Sequence, residues 1–191
     1  EIRLSLVGSE MCIRDSAKLR ATPPSCEGPA MPLAAPHSPL RRLPRPEDFA
    51  GERGGHTPWC GPAAVATAAG LSYAGACALL VRIAPDRYPP GEEIVTTWWR
   101  DLLAALAHLG IAVVPRPVRG RPTLCRAVRD GLPHGWWLAR VTDHFCLLRV
   151  AGSGRAEVFD NRHHAEPLSA ATHGRRRVSH LARLPPPPGA E

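Results

Sequence analysis

The chain has 191 residues, of which 44% are hydrophobic, and a formal net charge of +7. This length suits one domain with its own core, and no apolar run is long enough to span a membrane, so we expect no membrane association. The positive charge comes from arginines scattered along the chain, which argues against a nucleic-acid partner. No Cys-x-x-Cys pair is present, and a reducing, cytoplasmic location is the simplest expectation.

The first 46 residues show no hydrophobic periodicity. The run from Val7 to Ser16 resembles the translation of a sequencing adapter, and we interpret residues 1–16 as an artefact. Residues 17–46 are rich in Pro, Ala, Ser and Arg, a composition typical of a disordered leader. We therefore predict a folded domain over residues 47–184 and a Pro-rich tail over residues 185–191.

Cys60 stands between an extended approach and a helix. Pro58 disfavours helix in the residues before Cys60. Pro62 is tolerated in a first helical turn, small residues follow it, and Gly70 predicts the end of the helix. Cys60 therefore falls at or just before a helix N-terminus, where free backbone N–H groups and the helix dipole favour a thiolate.

Further helices and strands follow from capping residues and periodicity. Ser72 is expected to cap a helix over 73–83, Thr96 or Thr97 a helix over 98–109, and Thr123 a short helix to Arg129. Residues 111–114 predict a strand, and the last third of the chain predicts strands over 136–141, 144–150, 156–159 and 178–184. Helices before an antiparallel sheet indicate an α+β fold.

A nucleophilic cysteine needs a base and a group that orients the base. His144 opens a predicted strand directly after a turn, and Asp160 ends the next strand. In an antiparallel hairpin of this length Asp160 returns beside His144, where its carboxylate can fix the imidazole tautomer. Asn161 is the alternative orienting residue.

The motif Cys-Gly-Pro-Ala-Ala at Cys60, a strand opening with His144 and the run Phe-Asp-Asn ending at Asn161 resemble the papain-like cysteine peptidases. The bacteriocin-processing (double-glycine leader) peptidases and their stand-alone bacterial and phage relatives are the most similar type. The resemblance covers roughly residues 50–184, by the order of elements more than by identity. It implies a papain-like fold and a peptide or protein substrate.

The resemblance also implies a mechanism. Cys60 and His144 would form a thiolate–imidazolium pair, with Asp160 holding His144 and the backbone N–H of Cys60 supplying part of an oxyanion hole. The reaction would pass through an acyl-thioester and would need no cofactor. The sequence leaves open whether water or an amine accepts the acyl group, and the oligomeric state.

One position departs from this pattern. Such peptidases carry a glutamine six residues before the cysteine, whereas this chain has Gly54 there and no glutamine anywhere. Loss of one oxyanion donor costs about 10²–10³ in rate. His56 or Thr57 are candidate replacements, and Trp59 a candidate substrate contact. The alternative function is an impaired papain-like module that binds a peptide or a partner protein.

The remaining candidate ligands have simpler interpretations. Adjacent histidines on a loop, such as His163 and His164, are usually exposed, and we expect no metal site because zinc prefers separated ligands in a closed geometry. Cys77, Cys125 and Cys146 are interpreted as small hydrophobic side chains.

Overall fold

The structure is a computed structural model that describes residues 42–152 and 154–190. Within these residues, five helices and one six-stranded antiparallel sheet form a mixed α+β domain. Residues 1–16, interpreted above as an artefact, and the predicted leader up to residue 41 lie outside the described residues.

The first helix, α1 (Pro46–Glu52), was not predicted. Pro46 occupies the first turn, and the Asp48 carboxylate accepts a hydrogen bond from the backbone N–H of Arg45 at 2.8 Å. Both features are standard signals of a helix start. Phe49 on this helix and Leu43 just before it are buried in the core, so packing begins upstream of residue 47.

Three helices agree with the prediction. Cys60 is the first residue of α2 (Cys60–Ala69), which ends at Gly70 with φ of 65°. Ser72 caps α3 (Tyr73–Ile83) and Thr123 caps α5 (Leu124–Arg129), each through its side-chain oxygen. Among the described residues no single helix has the length and apolarity to cross a membrane; α2 and α3 pass only as a pair, bent by 104°.

The helix α4 (Trp99–His108) corrects the predicted boundary, because its N-cap residue is Trp98 rather than Thr96 or Thr97. The Trp98 backbone N–H donates to the Tyr88 hydroxyl at 3.1 Å. The side chain of Thr97 instead packs directly against Gly61 of α2. Tertiary contacts, rather than a side-chain cap, therefore fix the start of α4.

The strands are β1 (Val114–Arg116), β2 (Gly135–Val141), β3 (His144–Ala151), β4 (Arg155–Phe159), β5 (Glu166–Pro167) and β6 (Val178–Leu184). Their order in the sheet is β1-β6-β2-β3-β4-β5, and every neighbouring pair is antiparallel. The four strands predicted in the last third are confirmed. The predicted strand at 111–114 begins only at Val114, because the Ile111 N–H donates to the Leu106 carbonyl at 3.0 Å and closes the end of α4.

The two faces of the sheet have separate cores. Odd-numbered residues of β3, such as Phe145 and Leu147, pack with α2, α3 and α4. Even-numbered residues, such as Cys146 and Leu148, pack with α5, as the two-residue period of a strand requires. The four cysteines in the described residues are free; Cys146 is buried, and Cys77 and Cys125 are half-buried.

The Pro-rich C-terminal segment also contacts the domain. Pro187 is buried, and Ala190 packs against the core on the α2 side of the sheet. A Cβ at Gly70 would lie 3.0 Å from Pro188. The segment after β6 therefore covers the end of α2.

Candidate functional site

The register of β3 and β4 brings His144 and Asp160 together. Leu147 of β3 pairs with Phe159 of β4. Continuing this antiparallel register by one residue puts Cys146 opposite Asp160. His144 lies two residues before Cys146 on β3, on the same face of the sheet. The His144 Nε2 atom is 2.9 Å from Asp160 Oδ2, and both residues are buried. The His–Asp contact expected from the sequence is thus present.

The other carboxylate oxygen of Asp160 is also occupied. Asp160 Oδ1 accepts the backbone N–H groups of Arg162 at 2.6 Å and His163 at 2.8 Å. Burial raises the pKa of Asp160, but hydrogen bonds from His144, His173 and the Arg162 amide outweigh burial, and the net pKa lies well below its usual value. Asp160 is therefore an anion held in one orientation.

A second imidazole, which the sequence did not indicate, reaches the same carboxylate. His173 Nε2 is 2.7 Å from Asp160 Oδ2, and the rings of His144 and His173 have centroids 4.3 Å apart. His173 lies in an irregular segment before β6 where no periodicity or turn motif relates it to Asp160. Only the tertiary structure makes this contact visible.

These contacts set the tautomer of His144. An ionised carboxylate can only accept hydrogen bonds, so the Nε2 atoms of both histidines must carry the protons. The Nδ1 atom of neutral His144 is then unprotonated and available as a base. Burial lowers the pKa of His144, while Asp160 opposes this effect without cancelling it.

Cys60 is the first residue of α2, and its sulfur accepts a hydrogen bond from the backbone N–H of Phe145 on β3. Burial raises the pKa of the Cys60 thiol, and backbone hydrogen bonds from Phe145, Cys60 and Gly61 act in the opposite direction without overcoming it. The helix-start amides do favour a thiolate, as expected, but partial burial outweighs them. Phe145 directly follows His144, so the Cys60 sulfur lies at the backbone of the strand that His144 opens.

Burial shifts the pKa values of Cys60 and His144 in directions that disfavour an ion pair. The pKa of the Cys60 thiol is raised and the pKa of His144 is lowered, so both shifts favour the uncharged forms. No direct hydrogen bond joins Cys60 Sγ to the His144 ring within residues 42–152 and 154–190.

Asn161, the alternative orienting residue, makes a different contact. Its Nδ2 atom donates to the Pro58 carbonyl at 2.6 Å. This bond ties the end of β4 to the extended segment that precedes Cys60. Asp160 therefore contacts His144, whereas Asn161 anchors the extended segment that precedes Cys60.

Four buried side-chain polar atoms in the described part of the chain lack a hydrogen-bond partner. All four belong to residues next to, or in contact with, Cys60 or Asp160 and their neighbours. Trp59 precedes Cys60, and Thr97 packs on Gly61. Asn161 follows Asp160, and the backbone N–H of His163 donates to the Asp160 carboxylate. Nearly all buried polar groups in native proteins are satisfied, and exceptions need an explanation. The atoms are Trp59 Nε1, Thr97 Oγ1, Asn161 Oδ1 and His163 Nδ1, the last lying 3.1 Å from a Glu166 oxygen without hydrogen-bond geometry.

The residues proposed to replace the missing glutamine lie outside this group. Gly54 is exposed in the turn after α1, and His56 and Thr57 are also exposed. The side chains of His56 and Thr57 make no hydrogen bond to any described residue. Sequence reasoning instead missed Thr97, whose buried hydroxyl lies against the residue next to Cys60.

The His–Asp cluster also has the composition of a metal site. One ligand atom from each of His144, Asp160 and His173 lies within 4.8 Å of the others. His163 and His164, the pair considered in the sequence, do not form such a group. A separate cavity of about 680 Å³ lies on the α5 side and is lined by neither Cys60 nor His144.

The described residues of this α+β domain thus hold a cysteine at a helix start, hydrogen-bonded to the backbone of Phe145, and a buried His–Asp pair whose histidine precedes Phe145. Comparison of the chain with protein-family models, curated proteins and solved structures gave no match. An assignment of function therefore depends on the residues and contacts described above.

Proposed function

We propose that the chain is a papain-like cysteine hydrolase that cleaves a peptide or amide bond, with Cys60, His144 and Asp160 as its triad. The observation that carries the proposal is the placement of Cys60 Sγ at the Phe145 amide, one residue from a His144 ring held by Asp160. A nucleophile, a base and an orienting anion in this order are what acyl transfer through a thioester requires.

In the first step His144 Nδ1 takes the proton of the Cys60 thiol as the sulfur attacks the scissile carbonyl carbon. The S–C bond forms, and the carbonyl electron pair moves to oxygen. The tetrahedral intermediate then collapses: the C–N bond breaks, and the leaving amine takes the proton from His144. Asp160 stabilises the imidazolium that exists between these two transfers.

In the second step water replaces the amine. His144 Nδ1 accepts one proton of the water as its oxygen attacks the thioester carbon. The C–S bond breaks, the acid product leaves, and the proton returns to Cys60. Because burial favours the uncharged forms of both the Cys60 thiol and the His144 imidazole, His144 acts here as a general base during the attack rather than as part of a resting ion pair.

The oxyanion needs donors that point at the developing charge. The free amides at the start of α2 are one source, in line with the role that the resemblance gives to the Cys60 N–H. The position of the family's glutamine is occupied by Gly54, which has no side chain to offer. The Thr97 hydroxyl, buried without a partner against Gly61, is the donor best suited to complete the hole.

A second candidate function is a papain-like module that binds a peptide or a partner protein without cleaving it. The absence of glutamine and the raised pKa of the Cys60 thiol favour this alternative. It predicts binding of a ligand near Cys60 but no acyl-enzyme.

Alkylation by iodoacetamide, followed residue by residue by mass spectrometry, distinguishes the two functions. Cys77 is the internal control because it is also half-buried and burial also raises the pKa of its thiol. We expect Cys60 to react at least tenfold faster than Cys77 at pH 7, and His144→Gln to remove most of this advantage, because the base enables thiolate formation.

Equal rates for Cys60 and Cys77 in the native protein, unchanged by His144→Gln, would refute the hydrolase. Peptides that bind Cys60→Ala and the native protein with equal affinity, and that are recovered uncleaved from the native protein, would establish the binding module instead.

A further inference from the structure

His173 shares a carboxylate oxygen with the proposed base. Asp160 Oδ2 lies 2.9 Å from His144 Nε2 and 2.7 Å from His173 Nε2, so the His173 contact is the shorter one. The Asp160 side chain is fully buried, and His173 is 8% exposed. A carboxylate with two backbone amides on one oxygen and two imidazoles on the other has no freedom to turn.

The segment that carries His173 is built to hold it there. Thr172 is buried, and its hydroxyl donates to the Pro167 carbonyl while it accepts the Ser169 N–H, both at 2.7 Å. The Gly174 N–H closes the loop onto Ser169, also at 2.7 Å. The Cys125 N–H of α5 then donates to the Gly174 carbonyl at 3.0 Å, so the loop is fixed at both ends.

The backbone at His173 is in the left-handed region, with φ of 67°. This conformation is unfavourable for a non-glycine residue and persists only where its surroundings impose it. The loop is tightly packed at the next residue, since a Cβ at Gly174 would lie 2.3 Å from Cys125 Sγ and from the Ser169 carbonyl oxygen. The packed loop with its left-handed residue thus holds the His173 ring at Asp160.

We propose that His173 is a positioning residue of the site, which holds the Asp160 carboxylate against His144 and shares its charge. This inference rests on the proposed function for its catalytic meaning. By donating to the same oxygen, His173 weakens the pull of Asp160 on the His144 proton and keeps His144 a neutral base. It also prevents rotation of the carboxylate away from the ring.

The same three ligand atoms could instead coordinate a metal ion, and the surrounding charge decides against that arrangement. His173 lines a hollow of about 370 Å³ together with Arg162, Arg175 and Arg176. Arg176 also acts on His144, where its charge lowers the pKa. A metal cation at this cluster would be repelled by the three nearby guanidinium groups. Two neutral imidazoles that donate to one carboxylate add no positive charge, so this arrangement avoids that repulsion.

A matched pair of variants tests the proposal in the full chain. His173→Gln keeps an N–H donor at similar reach, and His173→Met has a similar length without a donor. Both residues meet the same backbone strain at position 173, so that cost cancels between them. The readout is the titration midpoint of the His144 ring by NMR, alongside thermal melts of each variant.

We expect His173→Met to raise the His144 midpoint by about one pH unit, since one hydrogen bond to a charged group no longer competes for Asp160. His173→Gln should keep the native midpoint. A packing role would change the melts of both variants and leave the His144 midpoint unchanged. The groups facing His173 that titrate or carry charge are Asp160, His144, His163, Arg162, Arg175 and Arg176.

Three results would overturn the proposal. One is an unchanged midpoint in a folded His173→Met protein, and another is an equal change in both variants. The third is one-to-one binding of Zn²⁺ by the native chain that both variants abolish, which would make the cluster a metal site. If His173→Met does not fold, NMR of the native protein alone tests the proposal. Two downfield, slowly exchanging ring N–H protons are expected, one from His144 and one from His173. A single such proton would refute the shared carboxylate.

The titration does not depend on turnover. Repeating it in Cys60→Ala protein separates the two proposals, because His173 can then be judged even if Cys60 proves to be unreactive. Conversely, fast alkylation of Cys60 with no change in the His144 midpoint would keep the hydrolase and remove the role of His173.

Discussion

The two sides of the site differ in how fully their polar groups are used. On the sheet side, both oxygens of Asp160 accept hydrogen bonds, from two backbone N–H groups and two imidazoles, although Asn161 Oδ1 and His163 Nδ1 on the following residues are buried without a hydrogen-bond partner. On the helix side, Cys60 Sγ makes no direct hydrogen bond to the His144 ring, and the Trp59 indole N–H and the Thr97 hydroxyl are buried without a hydrogen-bond partner among the described residues.

The difference distinguishes the groups that hold His144 from the groups that, in the proposed function, would contact a substrate. A saturated network fixes geometry, because every rotation would break a hydrogen bond in a low-dielectric interior. Unpartnered donors are costly in the free protein and are kept where a ligand supplies the missing acceptor. The sheet side thus has the character of a rigid support, and the helix side that of a receiving surface.

Breaking the saturated side should have the largest effect. Asp160→Asn replaces an anion that accepts four hydrogen bonds with a group that must present donors to some of them. We expect hydrolysis of a peptide library to fall by about 10³–10⁴-fold, as loss of an orienting carboxylate does in other triads. Glu157→Gln is the control: Glu157 lies on the same strand but pairs with Arg149 at 2.7 Å, and it should leave the rate unchanged. Equal rates for both variants would contradict the support role.

Overpacking the helix side should cost stability. In Gly61→Ala the new Cβ would lie 2.1 Å from Thr97 Oγ1 and 2.4 Å from Thr97 Cβ, and we expect a loss of about 1–3 kcal/mol in the free energy of unfolding. Urea denaturation measures this change. Gly51→Ala on α1 has nothing within 4 Å and should be neutral or stabilising. Rescue of Gly61→Ala by Thr97→Gly would confirm the contact, and a stable Gly61→Ala protein would exclude it.

Removing an unpartnered donor should have opposite effects on stability and activity. Thr97→Val deletes a buried hydroxyl that has no partner, so we expect a gain of about 1 kcal/mol in unfolding free energy and slower hydrolysis. The control is Thr67→Val, since the Thr67 hydroxyl donates to Ala63 at 2.9 Å and its loss should destabilise the fold. A Thr97→Val protein that is less stable and equally active would show that the hydroxyl serves the fold.

The smallest expected effect is a pH dependence of stability from His144. Its pKa in the folded protein lies below the ordinary value of 6.5, so as pH falls below that value the unfolded chain takes up the proton first. Stability should therefore decline from about pH 6.5 downward until the folded protein also protonates. The pKa values of His164 and His180 are lowered too, and the difference between native and His144→Gln proteins isolates the contribution of His144. Parallel curves would contradict the burial effect.

Much of the fold could be predicted from local chemistry. Caps such as Ser72 and Thr123, the stop at Gly70 and the alternation along β3 are interactions between residues close in sequence. Failures came where distant residues replaced a local signal. Thr97 did not cap α4 because its side chain packs on α2, and the strand predicted from 111 was delayed by the closure of α4.

The sequence by itself determined the order of elements, the position of Cys60 at the start of a helix and the pairing of His144 with Asp160. The pairing of His144 with Asp160 could be predicted because the register of an antiparallel hairpin decides which residues of its two strands lie opposite each other. Only the tertiary structure decided that His173 completes the carboxylate network, that Thr97 rather than His56 or Thr57 lies against the first turn of α2, and that burial raises the pKa of the Cys60 thiol and lowers the pKa of His144. These features depend on burial and on loops whose paths are set by packing rather than by period.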